Sequence, residues 1–341
     1  MNNLSDNRTS TTASRKGRTS LLALIALSLC SLTRPAFAQY TWALCTVSPT
    51  DPAGGMAGIQ IGSTQLWGRS GTGNLYQYVN PNEAGNPCQL NLIPSPIVGN
   101  TPVSFQHLAV GQGKSVWALS NGAAYSYQFP GWVSVPGTGS SGSVPVVLTS
   151  IGAGTEGTWG IDSASGLGTA PGAAYVYNSG AINLFLPPGF TQPTAFASIW
   201  AGNFAMGPWA LDSAGNAWLY SSADGFQKTN AVLTQISVGQ DEVWGVNGNS
   251  PAFEYNASTG KWFQPDPKTV LSEISANVDN NVSAVNSAGQ VFFFDSTLNK
   301  FELASPQPPE KISQVRQGGA GIFALAKSTG HVYLLQSTII P

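Results

Sequence analysis

Charge is scarce in this sequence. Of its 341 residues, 14 are Lys or Arg and 16 are Asp or Glu, 9% together, against about 25% in an ordinary soluble domain. Histidine stops at two residues and cysteine at three. Each shortage removes a class of function. A net charge of -2 supplies no basic footprint for nucleic acid. So few His and Cys give little material for a metal centre, and neither metal nor cofactor is expected. The signature of disorder is also missing, because 42% of the residues are apolar. What is plentiful instead is Gly, at 39, with 23 Pro and 10% aromatics. That balance points to an all-β chain.

The first segment reads as an address. Arg15, Lys16 and Arg18 precede an apolar run, Leu21–Leu29, broken only by Ser28, and Ala36-Phe37-Ala38 follows a Pro. A basic region, a short apolar core and an A-x-A site make a secretory signal over residues 1–38, with cleavage expected after Ala38. The run is too short for an anchor, which needs about 20 apolar residues. No membrane insertion is expected after cleavage. Residues 39–341 then hold 9 basic and 15 acidic side chains, a net charge of -6. Cys45 and Cys88 are the only thiols left, in a compartment that permits disulfides, and a bridge between them is the expectation.

From there one unit recurs seven times: apolar-x-x-Gly, a gap, an anchor aromatic, a turn, then aromatic-x-aromatic. It begins with Ile59, Gly62, Trp67 and Tyr76/Tyr78, and returns with anchors Trp117, Trp159, Trp209 and Trp244. Two weaker copies follow at Ser283 and Phe323. The anchors are 50, 42, 50, 35, 39 and 40 residues apart, and each lies 5 to 7 residues after its Gly or, once, Asn277. Aromatics at i and i+2 share one face of a strand. Asp212-Ser213-Ala214-Gly215 and Asn286-Ser287-Ala288-Gly289 have hairpin-turn chemistry. Trp132, Phe226, Trp262 and Phe301 mark a fourth, outer strand.

Four strands in about 40 residues is the size of a propeller blade. The reading is one β-propeller domain over residues 39–341, with seven four-stranded blades and six as the alternative count. Inner-strand Gly suits crowding at the axis, and aromatics fill the widening wedge between blades. The seventh unit runs out after its third strand, while Trp42-Ala43-Leu44 looks like an outer strand with no blade before it. The N-terminal strand is therefore expected to complete the last blade.

The phrase Ile236-Ser237-Val238-Gly239 with Val243-Trp244-Gly245-Val246-Asn247 and Trp262 resembles tectonin repeats, found in tectonin and tachylectin-type β-propeller lectins. Leu108–Gly111, Val116–Leu119 and Trp132 form the next copy. The resemblance extends over nearly all of 40–337, and it implies the propeller fold and a carbohydrate ligand.

Other motifs dissolve on inspection. Gly137–Gly142 and Gly152–Gly157 both satisfy G-x-G-x-x-G, but strand-like segments follow where the nucleotide fingerprint needs a helix. His107 and His331 have no G-x-S-x-G elbow to serve, and the acidic positions Asp241, Glu242 and Asp266 form no evident catalytic pair. No catalytic residue is assigned. Most Trp recur at one repeat position and read as core. Trp200 departs from the pattern, because the other units carry Gln60, Ala109, Gly152, Ser237, Ser275 and Arg316 there. With Asn203 and Met206 in the loop that follows, it is the candidate ligand platform. The functional expectation is an exported, non-enzymatic lectin that binds neutral surface glycans through several weak sites. A secreted protein–protein scaffold on the same fold is the alternative.

Overall fold

Blade 2 shows how the repeat becomes structure. Its strands are His107–Val110, Val116–Ser120, Ala123–Gln128 and Gly131–Val135, joined in order as an antiparallel sheet. The second strand is buried at every position, because its two faces pack on neighbouring blades. Six further four-stranded sheets, those of blades 1 and 3 each extended by a short parallel fifth strand, complete a ring of seven blades, and no helix occurs among the described residues. The computed structural model describes residues 38–48, 55–79, 88–111, 115–138, 146–155, 157–162, 172–178, 181–184, 195–202, 206–277 and 281–339. All of them fall in one compact unit, Phe37–Pro341.

The ring closes as the repeat count implies. Ala38–Leu44 pairs antiparallel with Val332–Ile339 and supplies the outer strand of blade 7. Trp42 lies opposite Leu335 just as Trp132 lies opposite Tyr127 in blade 2. Its indole Nε1 donates to Pro306 O at 2.9 Å. The chain then crosses directly to blade 1, where Thr46–Ser48 adds a parallel fifth strand beside Gln89–Ile93. Cys45 and Cys88 form a disulfide at this crossing, with Cα atoms 4.5 Å apart. Cys45 N donates to Val332 O of blade 7 and Thr46 N to Cys88 O of blade 1. One covalent link thus joins the first and last blades.

The anchor aromatics hold the ring by reaching sideways. Trp67 packs edge-on against Tyr127 of blade 2 at 5.0 Å, and Trp117 meets Tyr177 of blade 3 at 4.7 Å. Trp209 and Tyr255 meet at 4.7 Å, as do Trp244 and Phe294. Phe323 closes the circle on Tyr78 of blade 1 at 5.0 Å. Each pair adds about 0.5–1.5 kcal/mol beyond burial of its area. Blade 6 breaks the series. Ser283 stands at its anchor position, fully buried, with its hydroxyl unbonded among the described residues.

Crowding at the axis explains the inner-strand Gly. A Cβ on Gly62 would lie 2.5 Å from Gly111 O of the next blade, a distance real Cβ atoms do not reach. Turn chemistry is equally local. Asp212 Oδ1 accepts from Ala214 N at 3.0 Å and Asn216 N at 2.9 Å, while Gly215 takes a φ of 81°.

Candidate functional site

Three places in the ring could do more than hold the fold. The first is the axis, where inner strands end at Gly62, Gly111, Gly154, Gly202, Gly239 and Asn277. These positions line a cavity of about 70 Å³. A water needs roughly 10–15 Å³ of such space, so the axis has room for a few waters and too little for a sugar ring.

Above the axis lies a relay that the sequence pattern hides. An inner strand leaves one edge of its sheet unpaired, and its N–H groups need acceptors. The residue just before the apolar position supplies one to the next blade. Ser150 Oγ accepts from Ile199 N at 3.2 Å, and Gln235 Oε1 accepts from Ile274 N at 3.2 Å. Glu273 Oε2 accepts from Val315 N at 3.3 Å, and Gln314 Oε1 from Ile59 N at 3.0 Å. Glu273 also forms a buried ion pair with Arg316 of blade 7. These polar groups are committed to blade-to-blade contact.

The second place is the seam of blades 4 and 5. Trp200 ends the inner strand Phe196–Trp200, opposite Trp209. It is half-buried, and it packs with Met206 on one cluster that includes Trp209, Ile236 and Trp262. Met206 O accepts the Trp209 indole N–H at 2.9 Å. The structure therefore brings Trp200 and Met206 together, while Asn203 lies outside the described residues. The Asp side chains that start the turns of blades 3 and 4 are occupied. Asp162 accepts from Ala173 N and from Tyr175 OH, and burial still raises its pKa. Burial also opposes ionisation of Asp212, but hydrogen bonds from Asn216, Trp218 and Ala214 prevail and lower its pKa. Asp266 is buried where it accepts from Phe301 N at 2.9 Å, tying an inter-blade loop to the outer strand of blade 6.

The third place was invisible in the sequence because it joins distant residues. Glu310 lies in the loop entering blade 7. Its Oε1 accepts from Tyr333 OH at 2.5 Å and lies 2.7 Å from His331 Nδ1. Its Oε2 accepts from Thr329 Oγ1 at 2.7 Å. The hydrogen bonds from Tyr333, Thr329 and His331 lower the Glu310 pKa to about 2. Burial and the carboxylate together push Tyr333 up to about 12. Neither group exchanges a proton near neutral pH, which is what a general acid or base must do. The cluster is a clasp between the loop and the Val332–Ile339 strand. Among the described residues no three His, Cys, Asp or Glu side chains come together as metal ligands.

Comparison with known proteins follows the same outline. Residues 196–338, blades 4 to 7, match the Tectonin domain model. A streptogramin B lyase structure superposes with a TM-score of 0.62 at 13% identity, covering 90% of this chain and 100% of that one. A catalytically inactive virginiamycin B lyase from Staphylococcus aureus with quinupristin gives 0.57 at 13% identity, covering 88% and 99%. YCF48 bound to D1 peptide gives 0.59 at 12% identity, covering 90% and 99%. At such identities the likeness shows the fold alone. No curated protein matches the chain in sequence.

Proposed function

We propose that this chain, a tectonin-repeat β-propeller, is an exported lectin-like protein that binds neutral glycans through weak sites around the ring. The observation that carries the reading is Trp200. It is a large aromatic, only partly buried, at a position where the other blades place small or polar residues or Arg316. It lies inside the stretch that matches the Tectonin domain. An indole of this kind stacks on the apolar face of a sugar. The low charge of the chain suits a ligand made of hydroxyl groups.

Export is part of the proposal. Residues 1–38 serve as the signal, and the disulfide supports an oxidising destination. A mature N-terminus at Gln39 in the secreted protein is the expected result of terminal sequencing. A glycan array with wild type and Trp200→Ala tests the binding. Binding that falls at least about tenfold in the variant, the loss of one stacking contact of roughly 1–3 kcal/mol, supports it. A blank array, methylated glycans included, or an unchanged variant rejects it.

A protein-binding role is the second reading. It is favoured by Ile97 and Val98, 71% and 63% exposed at the tip of a small ribbon between blades 1 and 2. A blank array would leave this reading standing.

A further inference from the structure

Two residues beyond each anchor, on the same face of the second strand, the blades carry Arg69, Leu119, Ile161, Leu211, Val246, Val285 and Leu325. The six aliphatic residues are at most 3% exposed and pack into the seam with the next blade. Blade 1 alone puts a guanidinium there. Arg69 is half-buried, and its Nη1 donates to Ser70 O at 3.2 Å. Among the described residues it makes no ion pair, and none of the described residues before Asp162 in blade 3 is acidic. The two blades that flank this seam therefore contribute no counter-charge among their described residues.

A second basic group is close by. His107 opens the inner strand of blade 2, at the end of the ring where the second strand of blade 1 stops. Its imidazole is exposed on one side. Partial burial and then the charge of Arg69 lower its pKa, and burial lowers that of Arg69 itself.

A half-buried guanidinium with no ion pair among the described residues is costly, and the repeat offers an aliphatic residue at the same place in every other blade. We propose that Arg69, with His107 beside it, is an oxyanion-binding position at the seam of blades 1 and 2, where a carboxylate or sulfate of a ligand supplies the missing counter-charge. A guanidinium fork matches either anion with two parallel hydrogen bonds. This site is separate from Trp200 at the seam of blades 4 and 5, so either can fail without the other.

The chain holds only two His, which makes the test direct. The imidazole resonances of His107 and His331 are titrated by NMR in sodium sulfate, sodium glucuronate and sodium chloride at one ionic strength. Sulfate or glucuronate is expected to raise the pKa of His107 by about half a unit or more, because a bound anion favours the imidazolium. The resonance of His331 serves as the internal control. The larger response of the two anions identifies the acid. Arg69→Leu, which writes the residue of blades 2, 4 and 7, is expected to fold with an unchanged or higher thermal midpoint. In that variant His107 starts from a higher pKa and ignores both anions. Arg69→Lys keeps the charge without the fork, and its response falls below that of wild type. A wild-type His107 indifferent to both anions overturns the proposal, as does an equal response in Arg69→Leu.

Discussion

Reducing the Cys45–Cys88 disulfide should loosen the ring at one place and by a calculable amount. The bond spans 43 residues of chain and staples the crossing from blade 7 to blade 1. In the chain-entropy model a loop of that length removes about 13 cal/mol/K from the unfolded ensemble, or about 4 kcal/mol at room temperature. Unfolding about 300 residues releases roughly 0.6 kcal/mol/K, so the thermal midpoint should fall by about 6 °C. The assay is calorimetry of oxidised wild type beside Cys45→Ala/Cys88→Ala, with thiol titration to verify redox state. Hydrogen exchange locates the change. Ala38–Leu44 and Val332–Ile339 pair over seven positions and should lose protection before the strands of blades 3 to 5. Coincident midpoints and unchanged exchange at the two closing strands would refute the reasoning. So would an equal loss of protection in every blade, because the disulfide would then not be acting at the closure.

Two further outcomes follow from the seams. Trp244→Ala removes a fully buried indole that packs on Phe294 and Phe301, and should cost about 3–5 kcal/mol in denaturant unfolding; a loss under about 1 kcal/mol would contradict its role as anchor. Glu310 has a pKa of about 2 in the fold, below its ordinary 4.5. Its contribution is therefore complete above the ordinary value and is lost as pH falls from there toward about 2. Tyr333, raised from 10.0 to about 12, has the opposite sense: its contribution is present below pH 10 and fades as pH climbs toward 12. Urea midpoints of wild type and Glu310→Gln across both limbs check this, and superimposable profiles would dismiss the clasp.

The sequence by itself determined the architecture. Strand alternation has a period of two, hairpin turns are written in four residues, and a unit repeated seven times states both in every copy. Even the closing strand was legible, because Trp42-Ala43-Leu44 carries the outer-strand phrase with no blade in front of it. Gly62 was legible as well, since crowding at the axis accounts for a Gly 5 to 7 residues before six of the seven anchors. Tertiary structure decided what those positions touch. The anchors reach across to the next blade, so Trp67 depends on Tyr127, 60 residues away in sequence. Ser150, Gln235, Glu273 and Gln314 share one repeat position, yet their common task needs the neighbouring inner strand in place. Trp200 proved to be wedged with Met206 in a seam, a setting its irregular sequence position alone did not reveal. Glu310 meets Tyr333 only after the chain has turned back on itself. Arg69 is visible in the aligned repeats, but its meaning depends on which face of the strand meets blade 2. Local chemistry is carried by adjacent residues and can be read from them; contact between blades depends on ring closure, which no single repeat contains.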